Sequence, residues 1–273
     1  MIKHYQYEHD NEFFCQKLHR TRSVNMAQSH LHQNYEIYYL LSGERQYFIG
    51  NSSYCIKPHD IVLIPKEVPH KTTSALRAEH ERILVSVPDS WLTTDEKNVF
   101  SKNCIHIPQP LAENCESILG RIEYEYNLND RYSEEMIVGA VHELMVFLSR
   151  IIENSADSLI AETNGSMAER AAQYICEHYG EPLTLEDLAT EFSLSREYFS
   201  SKFKQTTGFG FSEYLNQVRV ANASRMLRSG SVSVTDVAYR CGFNDSNYFA
   251  TVFKRIRGVS PKKYQLMQSK NEK

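Results

Sequence analysis

The sequence predicts an N-terminal all-β barrel followed by helices, and a C-terminal all-α domain with two helix-turn-helix units. Short runs of aromatic and β-branched residues, separated by turn residues, fill the first hundred or so positions, which is typical of antiparallel sheets. From residue 112 onward the apolar residues recur every three or four positions, the period of an amphipathic helix. A chain of 273 residues is long enough for two such domains.

The predicted strands lie within residues 1–110, and most of them end at a glycine, asparagine or proline. They cover residues 35–41, 46–49, 53–56, 61–64 and 81–87. Several short strands with closely spaced turns indicate a sandwich or a barrel rather than a parallel sheet.

Two helices are predicted next, at residues 112–127 and 133–153, within a helical pair that spans 111–153. The second helix has a long apolar stripe formed by Ile137, Val141, Leu144, Met145, Leu148, Ile151 and Ile152. The stripe either packs on the chain's own barrel or pairs two copies into a homodimer, and its docking is a candidate switch. The polar segment 154–166 is predicted to be the interdomain linker.

The composition favours a soluble cytoplasmic protein without a membrane partner. Hydrophobic residues make up 41% of the chain and charged residues 23%. The longest apolar runs fall far short of the roughly 18 residues that a membrane span needs, and the start lacks a secretory apolar region. The six cysteines are scattered without a CxxC pair, as expected for reduced thiols.

Charge is unevenly distributed between the two parts of the chain. Residues 1–165 carry 15 Lys and Arg against 23 Asp and Glu, a net charge of −8, whereas residues 166–273 carry 15 against 11, a net charge of +4. A basic end on an acidic chain suggests that the C-terminal part meets a polyanion.

The C-terminal part, residues 167–273, contains an internal repeat. TLEDLA at 184–189 aligns with SVTDVA at 233–238, and one residue is inserted in the second copy. Tyr198-Phe199, Phe203-Lys204, Gly208 and Tyr214 recur as Tyr248-Phe249, Phe253-Lys254, Gly258 and Tyr264. Each copy predicts a short helix, a tight turn and a second helix that Ser195 or Asp245 caps. The sequence therefore predicts helix-turn-helix units at 184–206 and 233–257.

Such a unit reads bases with the exposed, N-terminal part of its second helix. In the first unit Tyr198, Phe199 and Phe203 are predicted to face inward, and in the second Phe249, Val252 and Phe253. The predicted DNA-binding residues are Arg196, Glu197, Ser200, Ser201, Lys204, Ser246, Asn247, Ala250, Thr251, Lys254 and Arg255. Asn and Arg can bond two atoms of a base edge, whereas the lysines and Arg255 are better placed for phosphates.

The C-terminal 100 residues resemble the AraC/XylS family of transcription regulators. The resemblance rests on Arg219 with Ala223, on VTDVAYRCGFNDSNYFATVFK at 234–254 and on GVSPKKY at 258–264. It implies two helix-turn-helix units joined by a helix at about 213–227, which holds both recognition helices toward successive major grooves. Gln265 departs from the family pattern, which usually has Arg there.

Family members often carry a cupin-type sensor in front, and residues 30–70 resemble one. His30, His32 and Glu36, followed by Gly43 and later by His70, follow the order of the metal-cupin motif. The three imidazole groups of His30, His32 and His70 and the carboxylate of Glu36 would suit Zn, Fe, Mn or Ni as ligands. Val24 replaces the motif's leading glycine, and Lys66-Glu67 replaces its later glycine-containing stretch. The alternative is an organic-ligand pocket without metal.

The expected effector site is the barrel mouth. Its predicted polar lining is His30, His32, Glu36, Tyr38, Tyr47 and His70, with Arg22 as a weaker candidate. Hydroxyl and imidazole groups beside aromatic rings suit a sugar or another small polar metabolite.

These patterns together predict a transcription regulator that binds double-stranded DNA, a small effector and RNA polymerase, and we expect it to be an activator. A metal-dependent cupin enzyme or metal sensor fused to a DNA-binding domain is the alternative. The sequence shows no separate general acid–base constellation, so we expect no catalysis and no required cofactor. A DNA-binding architectural protein with an inert barrel is a third alternative.

Overall fold

The computed structural model describes residues 12–21, 33–74, 79–154, 160, 165–228, 230 and 232–271. The strands are β1 (Phe14–Arg20), β2 (Tyr35–Ser42), β3 (Arg45–Ile49), β4 (Ser52–Ile56), β5 (Asp60–Ile64), β6 (His70–Ser74), β7 (His80–Val87) and β8 (Cys104–His106). The helices are α1 (Thr94–Val99), α2 (Gln109–Leu128), α3 (Ser133–Asn154), α4 (Met167–His178), α5 (Leu185–Glu191), α6 (Arg196–Thr207), α7 (Phe211–Arg228), α8 (Val234–Arg240), α9 (Ser246–Arg257) and α10 (Pro261–Asn271). The predicted order of a β domain, two long helices and a helical domain is confirmed.

Two antiparallel sheets form the N-terminal domain. Sheet A has the order β1-β7-β2-β5-β8, and sheet B has the order β4-β3-β6. All five predicted strands are present, as β2 to β5 and β7. Strands β1, β6 and β8 were not predicted, because β6 (HKTTS) is polar and β8 has only three residues.

Each strand turns alternate side chains to opposite faces, and this places two different cores around sheet A. Its inward face meets sheet B in an apolar layer that includes Tyr38, Leu40, Tyr47 and Leu84. Its outward face, with Ile37 and Tyr39, packs against helices α1 to α3. Strand β2 is therefore buried along most of its length on both sides.

The apolar stripe of α3 is buried within its own domain. Its members lie in the same core cluster as the outward face of sheet A, and Leu148 is fully buried. Of the two alternatives for this stripe, packing on the chain's own barrel is the one observed. Leu148 is thus a core residue, and helix pairing through this stripe would require the domain to open.

In the described part of the C-terminal domain, helices α4 to α10 pack around two cores, and α7 contributes to both. One core contains Phe199, Phe203 and Tyr214, and the other contains Phe249 and Phe253. These are the repeated aromatic residues of the sequence, so each helix-turn-helix unit has its own aromatic centre. Helix α7 is buried along most of its length between them.

Sheet B carries the C-terminal domain on its outer face. The Phe48 ring lies 5.8 Å from the Tyr214 ring and 6.1 Å from the Phe209 ring, centroid to centroid. The Tyr214 hydroxyl also donates to the carbonyl oxygen of Gly50 at 2.6 Å. Most of the predicted linker, 154–166, lies outside the described residues. No described helix combines the length and apolarity that crossing a membrane requires.

Candidate DNA-binding and effector sites

The second helix of each helix-turn-helix unit begins at the predicted cap. The Ser195 hydroxyl accepts from the Tyr198 backbone N–H at 3.2 Å, and α6 follows. The Asp245 carboxylate accepts from the N–H groups of Asn247 at 2.6 Å and Tyr248 at 2.8 Å, and α9 follows. Because these caps satisfy donors that the helix cannot, both recognition helices start at equivalent positions of the repeat.

The predicted base-reading positions lie on the solvent-facing sides of α6 and α9. Arg196, Glu197, Ser201 and Lys204 are exposed on α6, as are Asn247, Thr251, Lys254 and Arg255 on α9, whereas Ser200, Ser246 and Ala250 are half-buried. Three of these positions of the repeat are exposed in both helices: Glu197 and Asn247, Ser201 and Thr251, and Lys204 and Lys254. This arrangement places a row of mostly polar side chains on the exposed side of each helix, as major-groove insertion requires.

The inward orientation predicted for Tyr198 is wrong. Its side chain is 56% exposed, and Tyr248 at the equivalent position of α9 is 54% exposed. Tyr198 immediately precedes Phe199, which is fully buried, and consecutive helix residues point about 100° apart. Both tyrosines therefore add a hydroxyl and an aromatic edge to the solvent-facing surface beside the predicted base readers.

The second unit is fixed to its neighbours by Arg219 of α7, whose structural role the sequence analysis did not identify. Its Nε donates to the Tyr179 carbonyl at 2.8 Å, and its Nη2 donates to the Glu181 carbonyl at 2.8 Å. Gly242 begins the turn before α9 with φ 81°, and a Cβ there would lie 2.8 Å from Arg219 Nη2. Only glycine suits this close approach and this backbone conformation.

Four of the six predicted effector residues share the space between the two sheets. Glu36 and Tyr38 lie on β2, Tyr47 on β3 and His70 on β6, and strand parity turns all four inward. The Tyr38 and Tyr47 rings contact edge to face at 5.1 Å. His30, His32 and Arg22 lie outside the described residues, so the full predicted set stays a prediction.

Burial controls the ionisation of the two tyrosines in this space. It raises the pKa of Tyr38 to about 12, against the opposing influence of Arg82 and Arg45. It also raises the pKa of Tyr47 well above its ordinary value. Both phenols are therefore neutral near pH 7 and available as hydroxyl donors to a ligand.

The metal prediction can be examined only at Glu36 and His70. His70 is fully buried, and its Nδ1 donates to the Val68 carbonyl at 3.0 Å. Across the described ranges, no three His, Cys, Asp or Glu side chains are arranged as a metal site. A metal therefore depends on His30 and His32 and stays a prediction.

Arg82 and Arg45 are inward-facing residues that the sequence analysis did not identify. Arg82 on β7 is paired with Leu40 of β2, and Arg45 at the start of β3 is paired with Ile56 of β4. Their inward orientation follows from strand register, which the sequence alone does not give. The barrel interior thus carries guanidinium groups beside the predicted tyrosines.

A buried ion cluster joins the barrel to the helical domain. Glu67, in the β5–β6 connection, accepts from both terminal nitrogens of Arg228 at 2.7 Å and from Arg257 Nη2 at 2.8 Å. The Tyr264 hydroxyl donates to the same carboxylate at 3.3 Å. Burial would raise the pKa of the Glu67 carboxyl, but Arg257 and Arg228 outweigh it and hold that pKa below its ordinary value.

This cluster, which we call the Glu67 latch, connects the β5–β6 loop of the barrel to α7 and α9. Arg228 ends α7, Arg257 ends the recognition helix α9, and Glu67 lies three residues before His70. A cavity of about 270 Å³ lies nearby at the same domain interface, lined in part by Tyr47, Lys71 and Glu169. The interface between the domains therefore combines a charged contact with a cavity.

Comparisons with known proteins agree with both halves of this description. The AraC-like ligand binding domain model matches residues 18–130, and a helix-turn-helix domain model matches residues 188–267. The HTH-type transcriptional activator RhaR of Shigella dysenteriae serotype 1 (strain Sd197) is 24% identical over 251 residues, 89% of this chain and 88% of that protein. RhaS of Salmonella schwarzengrund (strain CVM19633) is 33% identical over 150 residues, 54% of each chain.

Among solved structures, the DNA-binding domain of AdpA in complex with a target DNA is 30% identical, with a TM-score of 0.38. The match covers 39% of this chain and 96% of that one. Ligand-binding and helix-turn-helix models thus match in the order that the fold presents them. The chain belongs to the AraC family of transcription regulators.

Proposed function

We propose that this protein is a transcription activator that binds operator DNA through α6 and α9 and responds to a small polar effector, most simply a carbohydrate. The observation that carries the proposal is the pair of equivalent recognition helices on one buried connecting helix, α7. The relatives named as transcriptional activators support activation rather than repression.

The proposed base readers are Arg196 and Ser201 on α6, and Asn247 and Thr251 on α9, supported by their exposure. Lys204, Lys254 and Arg255 are proposed phosphate contacts, because lysine and arginine charges near the helix ends suit the DNA backbone. We take RNA polymerase to be the further partner of an activator.

The proposed effector site is the space between the two sheets. Its support is that Glu36 and Tyr38 of sheet A, and Tyr47 and His70 of sheet B, all lie on the inward faces of the two sheets. Hydroxyl, carboxylate and imidazole groups beside aromatic rings are able to bond a polyhydroxylated ligand and pack against its apolar side. His30 and His32 complete this proposed lining.

We further propose that the Glu67 latch transmits effector occupancy to the DNA-binding domain. Glu67 lies in the short connection between β5 and β6, and His70 begins β6 three residues later, so a ligand that moves His70 would also displace the latch carboxylate. A ligand shifts such an equilibrium only when it binds one domain arrangement better than another.

The proposed dimer surface lies on the end of the α2–α3 hairpin. Tyr124, Leu128, Tyr132 and Met136 are all exposed there, and we call them the hairpin patch. Four large apolar side chains close together in a helix hairpin suit burial against a second copy. Two copies would match a paired DNA site.

The proposal is tested by titrating full-length protein with DNA from upstream of its own gene, with and without a panel of sugars and sugar derivatives. Effector and operator must change each other's affinity by the same factor, because the coupling is thermodynamic. DNA binding that no effector alters would refute the sensor role, and turnover of a panel compound would favour the enzyme alternative.

A further inference from the structure

One end of the space between the two sheets is rich in arginine. Arg20 ends β1, Arg45 begins β3, and Arg82 lies near the start of β7. Arg82 pairs with Leu40 of β2 and Leu18 of β1, and Arg20 pairs with His80 of β7. Because paired residues of antiparallel strands project to the same face, the three guanidinium groups approach the space from both sheets.

Two of these arginines are held against the predicted effector residues. The Arg82 guanidinium lies over the Tyr38 ring at 5.6 Å, and its Nη2 donates to Gln16 Oε1 at 3.2 Å. Arg45 donates through Nε to the Thr72 hydroxyl at 3.2 Å. The guanidinium planes are thereby fixed beside the aromatic pair of Tyr38 and Tyr47.

Positive charge exceeds negative charge at this end. Two acidic side chains share the inward face in the ranges described. Glu36 lies toward the opposite end of β2, and Asp60 already accepts from the Lys57 N–H at 2.7 Å and pairs with His106 at 2.7 Å. Neither Arg20 nor Arg82 forms an ion pair with any described residue. A partly buried guanidinium without a counter-charge is costly, so an anion would be favoured there.

Two polar atoms at this end also lack a partner. Arg82 Nη1 and the Tyr38 hydroxyl are buried, and neither has a hydrogen-bond partner within the described part of the chain. They belong to side chains that stack on each other. Buried donors are nearly always satisfied in native proteins, so one ligand oxygen that accepts from both groups would satisfy both donors.

We infer that the effector is an anionic, hydroxylated small molecule, and that Arg82, with Arg45 and Arg20, binds its oxyanion. This inference rests on the proposed effector site and narrows its ligand class from a neutral carbohydrate to one bearing a carboxylate or a phosphate. Arginine matches both groups with two parallel hydrogen bonds. The hydroxyl groups of such a ligand would lie toward Tyr38, Tyr47 and His70.

The experiment measures the melting temperature of full-length protein with matched neutral and acidic probes. The probes are D-glucose and D-galactose, D-glucuronate and D-galacturonate, glucose 6-phosphate, and sodium sulfate against sodium chloride at equal ionic strength. The two acid classes distinguish a carboxylate from a phosphate, and sulfate tests the oxyanion site without knowledge of the natural ligand. A ligand that binds only the folded state must raise the melting temperature.

Arg82→Gln is the test variant, and Arg121→Gln is its control, since Arg121 is an exposed arginine that pairs with Glu143 on the helix hairpin. We expect at least one oxyanion to raise the melting temperature more than its neutral counterpart. Arg82→Gln should weaken that binding about 10- to 100-fold, the value of a hydrogen bond to a charged group, while Arg121→Gln leaves it unchanged.

The inference is overturned if folded Arg82→Gln responds to every oxyanion as strongly as the wild type does. It is also overturned if neutral sugars stabilise the protein as well as their acids, an outcome that leaves the sensor role intact. If no probe, sulfate included, distinguishes wild type from Arg82→Gln, the anion site is absent. Operator binding measured in parallel shows whether the proposed DNA-binding function survives that result.

Discussion

Asn247 is the exposed side chain of α9 with the chemistry to contact two atoms of one base, because an amide both donates and accepts. Its backbone N–H is bonded to the Asp245 carboxylate, and its side chain is exposed to solvent. Replacing Asn247 with Ala should cost on the order of 1–3 kcal/mol at one base position and relax the preference there.

Lys254→Ala is the matched change on the same helix. It removes a proposed phosphate contact, so it should weaken binding to all sequences about equally and reduce the salt dependence. The measurement is affinity across a panel of single-base operator variants. Equal losses on every variant for Asn247→Ala would show that Asn247 does not read a base.

At the scale of an element, the α2–α3 hairpin carries two kinds of apolar residue. Some are buried in the core of the domain, and others are exposed where a second copy of the chain could contact them. Met136 in the hairpin patch is 55% exposed, whereas Leu148 on the same helix is fully buried. Met136→Glu should reduce self-association while changing the free energy of unfolding by less than about 0.5 kcal/mol, as exposed substitutions do. Leu148→Glu should unfold the domain, because it buries an unpaired charge.

Sedimentation velocity over a range of protein concentrations checks this prediction, with Lys102→Glu as an exposed control outside the patch. If the Met136→Glu protein dimerises as tightly as the wild type, the dimer surface lies elsewhere on the molecule.

The Glu67 latch operates at the scale of the whole molecule. Removing one partner of a buried ion pair costs on the order of 3–5 kcal/mol, and in Glu67→Gln that loss falls on the interface between the domains. We expect the factor by which effector changes operator affinity to fall toward one. Glu44→Gln, an exposed carboxylate on the same domain, should leave that factor unchanged.

Titration of effector into each variant with and without operator DNA checks this prediction. A folded Glu67→Gln protein with undiminished coupling would mean that the signal travels through another contact, such as Tyr214 with the Gly50 carbonyl.

The helical domain was largely predictable from sequence, since repeated aromatic positions and cap residues depend on local spacing. The misassigned Tyr198 shows the limit, because adjacent apolar residues on a helix need not share a face. The roles of Arg82 and Glu67 could not be predicted from the sequence for a different reason. Their roles depend on strand register and on how the two domains meet, and neither is encoded in local periodicity.

Footprinting on the upstream DNA of its own gene tests the central claim most directly. Two recognition helices presented by α7 should protect two segments one helical turn apart, roughly 10 base pairs, on one face of the duplex. Protection should weaken steeply between low and moderate salt, because bound lysines and arginines displace counterions. A folded protein that protects no DNA segment at low salt, or that protects all DNA sequences equally, would contradict the account.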